Sequence, residues 1–293
     1  MAPARSRVFV LVLSMVAVAG TFRLASTVAA QSPGIPRSGW PPRLTLAVLP
    51  YQVPPHIYDL WTPLADFLSG KLGVFVRVTT TNVYEDYARK VVVQRPELAY
   101  FNPLQYLTAH RDGGYDALVA PNQNTLGRLI VRADSPIRTL RDLRGRTIAL
   151  LPPSAMPGHH QAKALLLDVG LVADRDYAVV VVENFNFLID RVVGRRVDAG
   201  AVGVMPFNTL PVATKAKLRI LAETPPQPPS VFAARRDIDP ALREAIARAF
   251  LSLSDETRGR EILRSFAWNR LVRATDADYD STREFARKLG LRY

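Results

Sequence analysis

The sequence predicts an α/β fold of two lobes, one inserted into the other and joined to it by two extended crossings. Three observations carry this expectation. Strand-like and helix-like stretches alternate along most of the chain. The alternation restarts at Thr147, after a first run that ends near Arg132. A proline-dense segment, Glu223–Ser230 (ETPPQPPS), then leads into Val231–Ala234 and a helical tail that needs the first half to pack against. Each lobe is expected to hold a mostly parallel sheet flanked by helices. At 293 residues the chain has room for two domains of roughly 100–200 residues each.

Taken in order, residues 1–30 carry Arg5 and Arg7, an apolar run from Val8 to Gly20, and the small residues Val28, Ala29 and Ala30 before Gln31. This is the layout of a cleavable secretory signal. The run is shorter than the roughly 20 residues of a comfortable membrane span, with an uncleaved anchor as the alternative. Residues 31–42 read as a Pro/Ser/Gly linker. Leu44–Leu49 is a strand, and Ile57–Leu72 has apolar residues at helical spacing, stopped by Gly73. Val74–Val78, Leu98–Phe101, Asp116–Ala120 and Leu129–Arg132 read as strands, with helices at Tyr84–Val93 and Leu104–His110. In the second half Thr147–Leu151, Tyr177–Val182, Asp198–Val202 and Leu218–Leu221 are strands. Gly158–Val169, Phe185–Val193 and Phe207–Thr214 are helices, and the tail is helical over Pro240–Leu253, Asp255–Phe266 and Asp276–Leu289. The expected division is residues 43–132 plus 225–293 for the first lobe and 133–224 for the inserted one. The hinge then falls near Leu129–Ala133 and Leu221–Val231.

Composition removes several functions. The chain has no cysteine, which excludes disulfides, thiolate catalysis and cysteine-ligated metal. No Gly-x-Ser-x-Gly elbow, His-Glu-x-x-His or glycine-rich phosphate loop occurs, so neither an enzyme nor a cofactor is expected, and a secreted hydrolase is disfavoured. Without residues 1–30, which hold Arg5, Arg7 and Arg23 and no acid, the balance is 35 basic to 26 acidic residues, or +9. Arg128, Arg132, Arg138, Arg141, Arg144, Arg146, Arg195 and Arg196 are scattered and not interleaved with aromatics, so nucleic acid is not an expected partner. In an exported chain the excess more simply attracts anionic solutes or surfaces.

The stretch Thr147–Leu167 (TIALLPPSAMPGHHQAKALLL) is a buried strand, a Pro/Ser/Gly loop and a helix opening near Gly158. Taken alone it is an ordinary βα turn capped by Ser154. It also begins the first βα unit of the inserted lobe, and a loop feeding a helix N-terminus leaves backbone N–H groups that can hold a small anion. Ser154 adds a hydroxyl, and His159 and His160 add ring nitrogens. Adjacent helical residues point about 100° apart, so this histidine pair is not expected to share a metal ion. Two such lobes with no catalytic constellation suit a solute held between them, at strand carboxyl ends and helix N-termini.

Six stretches, in order, resemble one family. LTLAVLPY, WTPLADFLSGKLG (Trp61–Gly73) and ELAYFNPLQYLTA (Glu97–Ala109) are similar to the opening lobe of the phosphonate, phosphite and phosphate binding proteins of ABC importers. LRDLRGRTIAL (Leu140–Leu150), VVGRRVDAGAVG (Val192–Gly203) and ATDADYDSTREFARKLGL (Ala274–Leu291) continue the match. The resemblance implies a type II periplasmic binding protein that is exported to the periplasm. It further implies a monomer that captures a small anionic solute and passes it to an ABC permease. The alternative is a protein of the same fold that signals to a membrane sensor kinase.

From the strand ends and the helix start read above, together with this resemblance, the expected ligand-binding residues are Tyr51, Tyr100, Asn102, Ser154, Ala155, Met156, Gly158, His159 and Phe185. The family's Ser-Thr-Ser/Thr-Gly grip is reduced here to Ser154-Ala155-Met156-Pro157-Gly158, and Pro157 has no N–H. Phe185 stands where a His is usual, and Asn102 where Gly is frequent. Met205 and Ser230 stand near the positions of an acidic pair that binds a ligand amine. On their own chemistry Phe185 and Phe187 both read as packing more than ligand contact, and Asp198 as a brace at a strand end. If residues 1–30 are a signal, mass spectrometry of the exported protein should find a mature N-terminus near Gln31. An intact Met1 in the membrane fraction would contradict it.

Overall fold

Period-2 and continuous apolar runs become strands, and 3.6-residue periods become helices, over Gly39–Tyr293, the residues that the computed structural model describes. The expected signal and most of the expected linker, residues 1–38, lie outside the described residues. The chain opens with β1 (Arg43–Val48), α1 (Pro54–Leu72), β2 (Phe75–Thr80), α2 (Tyr87–Gln94), β3 (Leu98–Phe101), α3 (Pro103–Gly113) and β4 (Tyr115–Pro121). α1 starts on prolines, which suit a first turn whose N–H groups have no intrahelical partner. It buries Ile57, Trp61, Leu64, Leu68 and Leu72 along one face. It stops at Gly73, whose φ of 65° is left-handed and whose N–H bonds back to the Ser69 carbonyl. α3 is opened by a capping box between Asn102 and Gln105.

The second run is β5 (Gly127–Arg132), β6 (Thr147–Leu150), α4 (Ala162–Asp168), β7 (Ala178–Val181), α5 (Phe185–Val193), β8 (Ala199–Gly203), α6 (Val204–Asn208), α7 (Val212–Lys215) and β9 (Leu218–Glu223). The chain returns through β10 (Val231–Arg235), α8 (Pro240–Leu251), α9 (Thr257–Ser265), β11 (Leu271–Arg273) and α10 (Asp280–Lys288). One sheet has the order β11-β4-β10-β3-β1-β2 and the other β7-β6-β8-β5-β9. Two lobes and the α/β class follow the sequence reading.

Three expectations need correction. The sheets are mixed, not mostly parallel: β1 pairs parallel with β2 and β3, and β6 with β7 and β8, but β10 runs antiparallel to β3 and β4, and β5 to β8 and β9. The cause is the insertion itself, because a chain that leaves a lobe and returns at the same edge must do so in opposite directions. β5 also pairs in the second sheet, so the boundary drawn at residue 132 moves back to the segment between β4 and β5. The crossings are therefore residues 122–126 and 224–230, and Thr125 and Gln227 exchange both backbone hydrogen bonds, at 2.9 and 2.8 Å. Finally, the helix expected over Phe207–Thr214 splits into α6 and α7 around Pro211, which has no N–H to continue it. β11, three residues at a sheet edge, carried no clear sequence signal.

The lobes are in contact. Phe185, Leu188, Ile189 and Val192 of α5 share one continuous apolar core with Tyr51, Trp61, Tyr100 and Phe232 of the first lobe. Contact is also close at the hinge. A Cβ added to Gly127 would lie 2.5 Å from the Pro157 carbonyl oxygen, where backbone would have to move. Gly127→Ala should therefore cost about 1–3 kcal/mol in urea unfolding. Gly70→Ala, on an exposed helical site with open space around it, should gain up to about 1 kcal/mol. Equal effects from the two would contradict this packing.

Candidate functional site

The seam between the lobes is built from strand ends. β3 ends at Phe101 and hands the chain to Asn102, whose Oδ1 accepts from Gln105 N at 2.9 Å as the helix cap. Its amide nitrogen donates to the Tyr84 hydroxyl at 3.1 Å and, across the seam, to the Ser154 carbonyl at 2.9 Å. Ser154 lies in the loop after β6, and both its N–H (3.1 Å) and its hydroxyl (2.9 Å) donate to Glu85 Oε2. Farther along the seam Phe185 N donates to the Tyr51 carbonyl at 3.0 Å, and Val53 N to Asn186 Oδ1 at 3.2 Å. The bonds of Ser154 to Asn102 and Glu85, of Phe185 to Tyr51 and of Val53 to Asn186 run between lobes, so the cleft is closed.

After the loop, Pro157–Gln161 forms one turn of π-helix before α4, with Gln161 N bonded to the Met156 carbonyl at 3.0 Å. Such widened turns recur at functional sites. Gly158 sits tightly within it, because a Cβ there would meet Leu151 Cδ1 at 2.8 Å and the Ala201 carbonyl oxygen at 3.0 Å. α4 itself has only seven residues, less helix than the sequence period suggested.

Two hollows open along the seam. A wide one of about 730 Å³ at the mouth is lined by Val53, His56 and Leu60 on one side and Asn186, Phe187 and Leu210 on the other. A small one of about 80 Å³ lies at the hinge, between Tyr100 and Trp268 of the first sheet's lobe, Thr125 and Ser230 of the crossings, and Met205 and Asn208 of α6. Drug-sized ligands occupy roughly 300–1,000 Å³, so the inner hollow suits only a solute of a few heavy atoms. No charged side chain lines it. Tyr100 and Trp268 in its wall belong to a larger aromatic group: Trp61 and Tyr100 rings lie 4.8 Å apart, and Phe266 stacks on Trp268 at 4.2 Å. Burial holds the Tyr51 and Tyr100 phenols well above the usual tyrosine range, so both are neutral hydrogen-bonding groups.

The expected ligand residues divide between these places. Tyr100 lines the inner hollow, with Met205 and Ser230. Tyr51 is buried behind it, its hydroxyl accepting from Trp61 Nε1 at 2.9 Å. Asn102 and Ser154 meet across the seam, each with its polar atoms engaged by protein. Ala155 is buried, with its N–H on the Pro152 carbonyl at 2.8 Å. Met156 is fully buried against Leu104 and Ala286. Phe185 is likewise fully buried, whereas Phe187 is exposed. Asp198 braces β6, accepting from Thr147 N at 2.9 Å. Sequence reasoning missed Glu85, Tyr84, Gln123 and Trp268, none of which sits in a motif or a chemically suggestive spacing.

The histidines come closer together than expected, with ring centroids 4.9 Å apart. His159 Nδ1 lies 2.7 Å from the Leu151 carbonyl, which can only accept, so that nitrogen carries the proton. Among the described residues no group of three or more His, Asp or Glu could hold a metal ion. Five of the arginines that the sequence offered for anion attraction, Arg128, Arg132, Arg144, Arg146 and Arg195, face carboxylates within 4 Å.

A family model described as the ABC-transporter phosphonate periplasmic substrate-binding protein matches residues 46–279. The chain belongs to this family. Its members are transport binding proteins. The phosphate-import protein PhnD of Mycolicibacterium smegmatis is 25% identical over 144 residues, 46% of this chain and 44% of that protein, so the match spans less than half the relative's length. Among solved structures, PhnD1 of Prochlorococcus marinus in complex with methylphosphonate superposes with a TM-score of 0.77 at 17% identity, covering 86% of this chain and 99% of that one. A binding-protein component of an ABC phosphonate transporter from Pseudomonas aeruginosa gives 0.76 at 13% identity, over 83% and 85%. These structural likenesses show the same two-lobe fold. Among the described residues no helix is long and apolar enough to cross a membrane.

Within this family member the π-turn makes stability sensitive to acid. Burial, with His159 and Lys163 beside it, pushes the His160 imidazole down to about 4, against the opposing effect of a hydrogen bond that the ring donates to the Pro153 carbonyl. Burial also lowers His159. An unfolded histidine takes up its proton near 6.5. Between these values the unfolded chain binds more protons than the folded one, so stability is full above about pH 6.5 and falls as the pH drops towards 4. Thermal melts should decline across that window, and His160→Gln should flatten the decline. An unchanged slope would contradict the assignment.

Proposed function

We propose that this chain captures a small oxyanion of the phosphonate, phosphite or phosphate class between its lobes and delivers it, as a monomer in the periplasm, to an ABC permease. The observation that supports this most strongly is the inner hollow at the hinge. It is small, neutral, rich in uncharged hydrogen-bonding groups, and formed where both crossings and both lobes meet. Tyr100, in its wall, lies at the end of β3 two residues before Asn102, which bonds the Ser154 carbonyl across the seam. Met205 and Trp268 favour an apolar substituent there, such as the methyl group that PhnD1 of Prochlorococcus marinus binds on its phosphonate.

The neutral lining also supports a specificity. An ammonium group in the hollow would be a buried charge without a carboxylate, at a cost of several kcal/mol. A calorimetric panel of phosphate, phosphite, methylphosphonate, aminoethylphosphonate, sulfate and short carboxylates should rank aminoethylphosphonate at least about tenfold below methylphosphonate. Tightest binding to aminoethylphosphonate would refute the pocket assignment. Silence towards every anion would remove the oxyanion reading.

A further inference from the structure

Glu85 lies in the irregular segment between β2 and α2 and is exposed, yet one of its carboxylate oxygens is held twice, by the N–H and the hydroxyl of a single residue, Ser154. Among the described residues no Lys or Arg forms an ion pair with Glu85; the nearest pair, between Asp86 and Arg89, is loose at 3.9 Å. Ser154 is the carboxylate's hydrogen-bond partner, and His159 is close enough to interact with it electrostatically. Its approach is set by neighbours. Tyr84, the residue before it, is buried and accepts from Asn102, and the same amide nitrogen of Asn102 holds the Ser154 carbonyl. The two sides of the seam thus fix both the donor pair and the segment that presents the acceptor.

An oxygen gripped at once by a serine hydroxyl and that serine's N–H is bound as an oxyanion would be. We propose that Glu85 is an internal anion that occupies Ser154 in place of the ligand, so that ligand capture is the exchange of one anion for another. This rests on the oxyanion reading of the cleft. Two properties follow. Charge-assisted bonds are about twice as strong as neutral ones, so Glu85 favours closure of the lobes without ligand. An arriving anion cannot share Ser154 with a carboxylate a few Å away and must displace it. Displacement is easy, because the exposed carboxylate swings into water. Glu85 thereby lowers the apparent affinity by the fraction of protein in which it holds Ser154.

The test compares wild-type protein with Glu85→Ala and Glu85→Gln, both at an exposed position. Calorimetry with inorganic phosphate and with methylphosphonate should find Glu85→Ala about tenfold tighter than wild type, the scale of one charge-assisted bond, with Glu85→Gln between the two. In the ligand-free proteins, amide hydrogen exchange at Ser154 should be faster in Glu85→Ala than in wild type. Equal or weaker affinity in both variants, for an anion that wild type binds, would overturn the proposal and leave the oxyanion function standing. Absence of binding by wild type and variants alike would overturn the oxyanion reading and this proposal with it.

Discussion

The structure depends on the pairing of its two crossings. Thr125 and Gln227 exchange both backbone hydrogen bonds, so the chain enters and leaves the second lobe as a two-stranded antiparallel ribbon. From this one constraint the sheet orders follow. β4 and β10 must lie side by side and run in opposite directions in one lobe, as β5 does with β9 in the other. The parallel strands β1, β3 and β6 then point their carboxyl ends at the seam, where open α/β sheets place ligands. The prolines of the second crossing stiffen it, and Gly127 at the end of the first allows the Pro157 carbonyl to come within reach.

What the seam holds is a matter of charge. Polar atoms at the Ser154 loop are engaged by Asn102 and Glu85, and the hollow at the hinge has no charged wall. Arginine is plentiful in the chain, but none of it lines the hollow, and Arg128, Arg132 and Arg195 pair instead with Glu223 and Asp134. On the proposed reading, selection in this cleft rests on neutral donors, on size, and on the Glu85 carboxylate that competes for Ser154.

The architecture was readable because it is written in local chemistry. Phe185–Val193 and Leu98–Phe101 match their expected bounds, since apolar period and flanking turn residues agree there. The lobe boundary was misplaced because β5 has the same apolar strand signature whichever sheet it joins, and only its partners decide. The site was less legible. The Ser154 loop was read from its strand–loop–helix pattern, and Tyr100, Met205 and Ser230 were singled out through family resemblance, yet Asn102 proved to be a cap and a bridge because its neighbour Gln105 completes a capping box. Glu85 and Trp268 were invisible, because each reaches the seam only through folding: Glu85 is 69 residues from Ser154 in sequence.

The most direct measurement of the account is a crystal structure of the protein with methylphosphonate bound. The account predicts the phosphonate oxygens between the lobes on the Ser154 N–H and hydroxyl, Glu85 turned away into solvent, and the methyl group in the hollow beside Met205 and Trp268. A phosphonate bound outside the seam, or one bound within it while Glu85 still holds Ser154, would contradict it.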